Sequence, residues 1–157
     1  MTSAGRSVLL SASAVALLAV AGCSASDAAT VAVPSPPPEQ AALCAALHKE
    51  LPKTVGGEKR TDPEPTSDLT AGWGDAAIVL RCGVPRPEKM NEATTGLEAN
   101  GVDWMVEERA AGPRFTTTYR EAYVEVTMDE RYAHDATPLA DLADAVRKTV
   151  PVTVEIP

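Results

Sequence analysis

The stretch AAIVLRCGV, residues 76–84, decides how the rest of the chain is read. It is rich in aliphatic and β-branched residues, and Pro85, which cannot donate to a sheet ladder, closes it. In an extended strand successive side chains alternate between faces. Ala76, Ile78, Leu80 and Cys82 therefore share one side, and Ala77, Val79, Arg81 and Gly83 the other. One face is apolar and carries a cysteine; the opposite face carries a charge. That is the pattern of a strand in a sheet with one side on a core.

Downstream, NGVDWMVEER (100–109) starts from an Asn-Gly turn, and AAGP (110–113) links it to RFTTTYR (114–120), which predicts an antiparallel hairpin from Val102 to Arg120. Trp104 alternates with Val102 and Val106 and is expected in the core. AYVEVTMD (122–129) adds a strand with Ala122, Val124, Val126 and Met128 on one face, and Val152 to Ile156 is a further short candidate. Upstream, TVGGEKRTDPEPTSDLTAGWGD (54–75) is crowded with Gly, Pro, Thr and Asp and reads as a long irregular connection.

Two helices flank these strands. From Glu39 to Glu50, Leu43, Leu47 and Leu51 recur at helical spacing, Ala42 and Ala46 fill the shoulders, and Pro52 stops the run. In ATPLADLADAVRKTVP (136–151) Thr137 is positioned to cap and Pro138 suits a first turn. Leu139, Leu142, Ala143, Val146 and Val150 form one stripe, with Arg147 and Lys148 at the dipole's negative end. The expected fold is α+β: an antiparallel sheet of about four strands with an N-terminal and a C-terminal helix packed on one face, spanning residues 39–157.

The chain holds three cysteines, so one lies outside any intramolecular pair. LAVAGCSAS (18–26) identifies it. Residues 1–22 contain no acid, carry Arg6, and then run uncharged from Ser7 to Gly22, the layout of a secretory leader shorter than the ~20 residues needed to span a bilayer. VAGC (20–23) resembles the lipobox of bacterial lipoproteins, which implies removal of residues 1–22 and lipidation of Cys23 as the new amino terminus. Two acyl chains hold a protein stably on a membrane. The alternative is an ordinary leader cut near Ala21 or Ala25, with Cys23 a free thiol. Loss of Arg6 moves the formal charge from -8 to -9. Residues 23–38, small, polar and proline-rich, read as a semi-extended tether that reaches about 50 Å at ~3.3 Å per residue.

With Cys23 set aside, two cysteines remain in an exported chain, which favours a disulfide. Cys44 lies on the first helix's apolar side and Cys82 on the apolar strand face. A bond between them stabilises by about 4 kcal/mol on the loop-entropy relation. The rival is that Cys44, His48 and Cys82 ligate a metal, or that Cys44 and His48 form a catalytic dyad.

The acidic balance excludes a phosphate-binding footprint and so argues against nucleic acid. With 4% aromatics there is little material for stacking platforms. No serine stands in G-x-S-x-G or S-x-x-K, and VGGEKR (55–60) lacks the phosphate-loop spacing. Asp129, Glu130, His134 and Asp135 match no metal-site spacing and read as a solvated connection; no cofactor is implied. Trp73, Arg81 and Arg120 are the candidate ligand contacts, the arginines for an anion, against the plainer reading that they pair with surface carboxylates.

Taken together, CAAL (44–47), WGDAAIVLRCGVP (73–85), NGVDW (100–104), FTTTYREAYVEV (115–126) and LADLADAV (139–146) resemble an uncharacterised family of actinobacterial envelope proteins, domain of unknown function 3515, over about Leu43 to Pro151. The resemblance implies an exported, usually lipid-anchored domain with its two cysteines paired, and no catalytic residue. The expectation is a non-enzymatic lipoprotein at the outer face of the cytoplasmic membrane, held through Cys23, whose partner is an envelope protein or a small ligand. Its rivals are an envelope enzyme or metal-dependent factor, and a ligand-binding accessory of a transporter with an apolar pocket near Trp73.

Overall fold

A computed structural model describes Met1, residues 29–91 and residues 96–153; the leader, Cys23, the tether through residue 28, residues 92–95 and the end of the candidate last strand lie outside the described residues. In chain order the elements are α1 (Pro38–Glu50), β1 (Thr54–Val55), β2 (Glu58–Lys59), β3 (Thr70–Trp73), β4 (Ile78–Val84), β5 (Gly96–Ala99), β6 (Val102–Glu107), β7 (Arg114–Thr117), β8 (Tyr123–Met128) and α2 (Thr137–Thr149). The main sheet runs β3-β4-β8-β7-β6-β5, every neighbouring pair antiparallel, and β1 and β2 form a separate two-stranded ribbon.

The sheet thus has six strands where about four were expected. Both additions come from segments with weak alternation. β3, inside the stretch read as irregular, offers only Ala71 and Trp73 as apolar positions, with Thr70 before them and Gly72 between them. β5 is Gly-Leu-Glu-Ala, joined to β6 by Asn100 and Gly101, whose φ values of 48° and 79° are those of the tight primed turn that the Asn-Gly pair announces. The first residues of the opening stretch are corrected too: Ala76 has φ 69° and belongs to the β3–β4 turn, so the strand begins at Ile78.

Register carries the alternation across the sheet. Ile78, Leu80 and Cys82 of β4 lie beside Met128, Val126 and Val124 of β8, and Val126 lies beside Phe115 of β7. One buried cluster contains these residues together with Cys44 and Leu47 of α1 and Leu139, Leu142, Ala143 and Val146 of α2. α2 does not use Thr137 as its cap. Asp135, two residues earlier, accepts the Thr137 N–H at 2.8 Å, so the acid supplies the first-turn acceptor instead. Among the described residues the last strand is a single bridge, Arg120 to Val152.

The segment expected to be a free tether is held from residue 29 onward. Val31 donates to the Glu64 carbonyl at 2.9 Å, and Glu64 donates to that of Ala29 at 3.0 Å. The Arg81 Nε donates to the Ala32 carbonyl at 3.0 Å. Beyond it Pro36 rests on Gly83, where β4 breaks register; a Cβ at that glycine would lie 2.5 Å from the proline ring. A proline-rich segment cannot build its own core, but here the sheet and the 61–67 loop supply its partners. We refer to residues 29–37 as the strap.

Candidate functional site

Cys44 and Cys82 are joined in a disulfide with Cα atoms 5.5 Å apart, and both are buried. In this form neither sulfur is a nucleophile or a metal ligand. His48 faces Arg60, whose Nη2 lies 3.0 Å from the ring Nε2. Arg60 also donates to Asp62 at 2.7 Å and stands 5.5 Å above the Trp73 ring. Among the described residues no three His, Cys, Asp or Glu side chains are grouped to hold a metal ion.

The three candidate ligand contacts are scattered, and each is engaged by the fold. Trp73 is fully buried, and its indole N–H donates to the Pro52 carbonyl at 3.0 Å, so its polar end closes the turn after α1. Arg120 is 6% exposed and donates to the carbonyls of Val150 (2.8 Å) and Gly101 (3.2 Å), tying the end of α2 to the β5–β6 turn. Burial pulls its guanidinium below the ordinary arginine range, while Asp103 opposes that shift. Arg81 donates from Nη1 to Glu125 at 3.0 Å.

Arg81 begins a ladder that the sequence reading did not assemble. On the face away from the disulfide, Arg81 pairs with Glu125 of β8, Arg114 of β7 lies 3.7 Å from the other Glu125 oxygen, and Arg114 donates to Glu107 of β6 at 2.8 Å. Lys89 reaches Glu107 at 3.7 Å. Glu107 and Glu125 are buried, and the hydrogen bond from Arg114 holds the Glu107 carboxyl below the ordinary glutamate range. The signal was present: alternation along VDWMVE, RFTT and YVEVTM puts Glu107, Arg114 and Glu125 on the polar side. In the acidic segment after β8, Asp129 accepts from the Arg131 backbone and pairs with its side chain at 2.9 Å, and the hydrogen bonds from Thr137 lower the Asp135 pKa.

Among the described residues, open concavities occur where the strap meets β4 and beside β5. One, about 510 Å³, is walled by Pro36, Pro37, Gly83, Pro85 and Tyr123 where the strap meets β4. The other place is β5, which has a cleft on each side. On the disulfide face Leu97, Val106 and Phe115 floor a space of about 280 Å³ rimmed by Glu108, His134 and Asp135. On the opposite face Glu98, Asp103, Met105 and Tyr119 border about 310 Å³. Trp104 borders this second cleft; it is buried, and among the described residues its indole N–H has no acceptor. Both tryptophans belong to the buried core cluster, Trp104 as expected and Trp73 although it was singled out as a ligand contact.

No curated protein and no solved structure matches the chain. A family model described as protein of unknown function (DUF3515) matches residues 7–154, which takes in the whole of both helices and every strand, and the chain belongs to that family.

Proposed function

We propose that this chain is a lipid-anchored, extracytoplasmic interaction module of the cell envelope, non-enzymatic, held through Cys23 at the outer face of the cytoplasmic membrane with both helices laid on the Cys82 face of its sheet. The observation that carries this reading is the buried Cys44–Cys82 disulfide. Thiols stay reduced in most cytosols, so a fold pinned by such a bond belongs to an oxidising compartment, which agrees with the leader before Cys23. The non-enzymatic part rests on both sulfurs being locked together and on His48 being taken by Arg60. Because the strap is held to the domain from residue 29, five residues separate it from Cys23, a contour of at most about 20 Å, so the domain works close to the lipid surface.

The test is metabolic labelling of an expressing cell with an alkyne fatty acid. The wild-type chain takes up the label and Cys23→Ala does not; an unlabelled wild type overturns the anchoring. A second reading, a small-ligand accessory, is favoured by the apolar floor of Leu97, Val106 and Phe115. Its volume of about 280 Å³ lies just below the lower end of ordinary ligand pockets, which limits any such ligand to a small molecule.

A further inference from the structure

The sheet ends at β5, and among the described residues nothing pairs with the outer side of that strand. The ladder fixes which groups are left over. In a two-residue hairpin the pair flanking the turn, here Ala99 and Val102, exchanges both backbone hydrogen bonds, and bonded and non-bonded pairs then alternate. Leu97 is therefore spent on Trp104, whereas Glu98 and Gly96 turn their N–H and C=O groups outward. Edge strands left in this state are templates for another strand unless they are blunted. Lysine or proline would blunt this one, and β5 contains neither.

The surroundings state what such a strand would look like. The Leu97 side lies over the apolar cleft with Val106 and Phe115. The Glu98 side carries Asp103 directly opposite Glu98, two like charges facing each other, an arrangement that is unfavourable when left alone. Glu108 and Asp135 add negative charge at the other cleft's rim. A second copy of this chain would bring its own Glu98 and Asp103 to the same edge, so charge disfavours self-pairing.

We infer that β5 is a docking edge for an extended, basic peptide segment of a partner protein, which adds an antiparallel seventh strand with Lys or Arg opposite Gly96 and Glu98 and an apolar residue opposite Leu97. Main-chain hydrogen bonds to Gly96 and Glu98 give the affinity, and the two clefts read alternate side chains. This deepens the interaction-module reading and rests on it.

The probe is the pentapeptide acetyl-Lys-Val-Lys-Val-Lys-amide, titrated at low salt into the isotope-labelled full chain and followed by amide chemical shifts. Changes confined to residues 96–99, 102–106 and 133–136 are expected. Directly opposed residues share a face and, at this register, Lys exchanges hydrogen bonds with Gly96 and Glu98 while the Val N–H points away. N-methylation of the lysines therefore weakens binding about three- to tenfold for each bond lost, whereas N-methylation of the valines, at identical charge, does not. Gly96→Pro removes one outward N–H without touching the β6 ladder and weakens the parent peptide by a similar factor, and Asp103→Lys weakens it about threefold. Equal effects of the two N-methylated peptides, binding mapped elsewhere, or no binding each overturn the docking edge. The fatty-acid labelling of Cys23 decides the anchoring separately, and binding mapped elsewhere leaves the interaction-module reading standing.

Discussion

The two faces of one sheet are buried by different means. On the disulfide face Ile78, Leu80, Val124, Val126 and Phe115 belong to the large apolar cluster, with Cys44–Cys82 as a covalent pin. Opposite them, Arg81 of β4, Glu125 of β8, Arg114 of β7 and Glu107 of β6 form a chain of ion pairs, with Val79, Met105 and Thr116 buried among them. Part of that face lies under the strap, through Arg81 and Gly83. The first face gains stability by removing apolar area from water, a term with no directional demand. The second depends on geometry, because a buried carboxylate is tolerated only while its partners stay in place. Damage to one face should therefore look unlike damage to the other.

The largest effect belongs to the first face. Replacing Cys44 and Cys82 together by alanine removes the cross-link over a sequence separation of 38 residues and is expected to cost about 4 kcal/mol. That approaches the whole stability of a marginal domain. Urea unfolding of the double variant, and of the wild type with reductant, should both show it; a loss under about 1 kcal/mol would mean that the helix is held without the pin.

A smaller, local loss is expected from Gly83→Ala. The residue has φ 83° and its Cβ would meet the Pro36 ring, so the substitution should cost about 1–3 kcal/mol and loosen the strap. Hydrogen exchange checks the locality: the Val31 amide, bonded to Glu64, loses protection while amides of α2 keep theirs. Uniform loss along the chain would show that the strap and the core open as one unit.

The sequence spoke most clearly where one physical signal acted alone. α2 has an apolar stripe at helical spacing between a proline and a Val-Pro stop, and its observed limits fall within a residue or two of the reading. β4, β6, β7 and β8 are rich in apolar or β-branched residues and keep their charged residues to one side, and the cysteines sat where a bond could join them. β3 was illegible because its glycine is required by packing: a Cβ at Gly72 would lie 2.6 Å from the Thr61 carbonyl oxygen, so the residue that looks like a strand breaker is what admits the neighbouring chain. The strap was hidden for a related reason. Composition reports whether a segment can fold by itself, and says nothing of a foreign surface that offers Arg81 and Glu64 as partners. The clefts beside β5 required knowing that β5 is an edge, which is a fact of topology rather than of any residue.

The smallest expected effect sharpens the contrast through pH. Arg114 and Lys89 keep the Glu107 carboxyl below the ordinary glutamate range. With the folded value below the unfolded one, the ion pair stabilises fully above the unfolded value of about 4.3, and the contribution fades as pH falls through the folded value. Asp135 shifts in the same direction through its bonds from Thr137, but it is exposed and belongs to the start of α2. Glu107→Gln should therefore remove part of the acid-induced loss of stability, leaving the portion due to Asp135, and should leave the difference between reduced and oxidised protein unchanged. Urea midpoints at pH 7 and at pH 3 for both chains decide it. If the Gln variant loses as much stability on acidification as the parent, the charge ladder does not hold the second face together, and the apolar residues Val79 and Met105 within that face carry it instead.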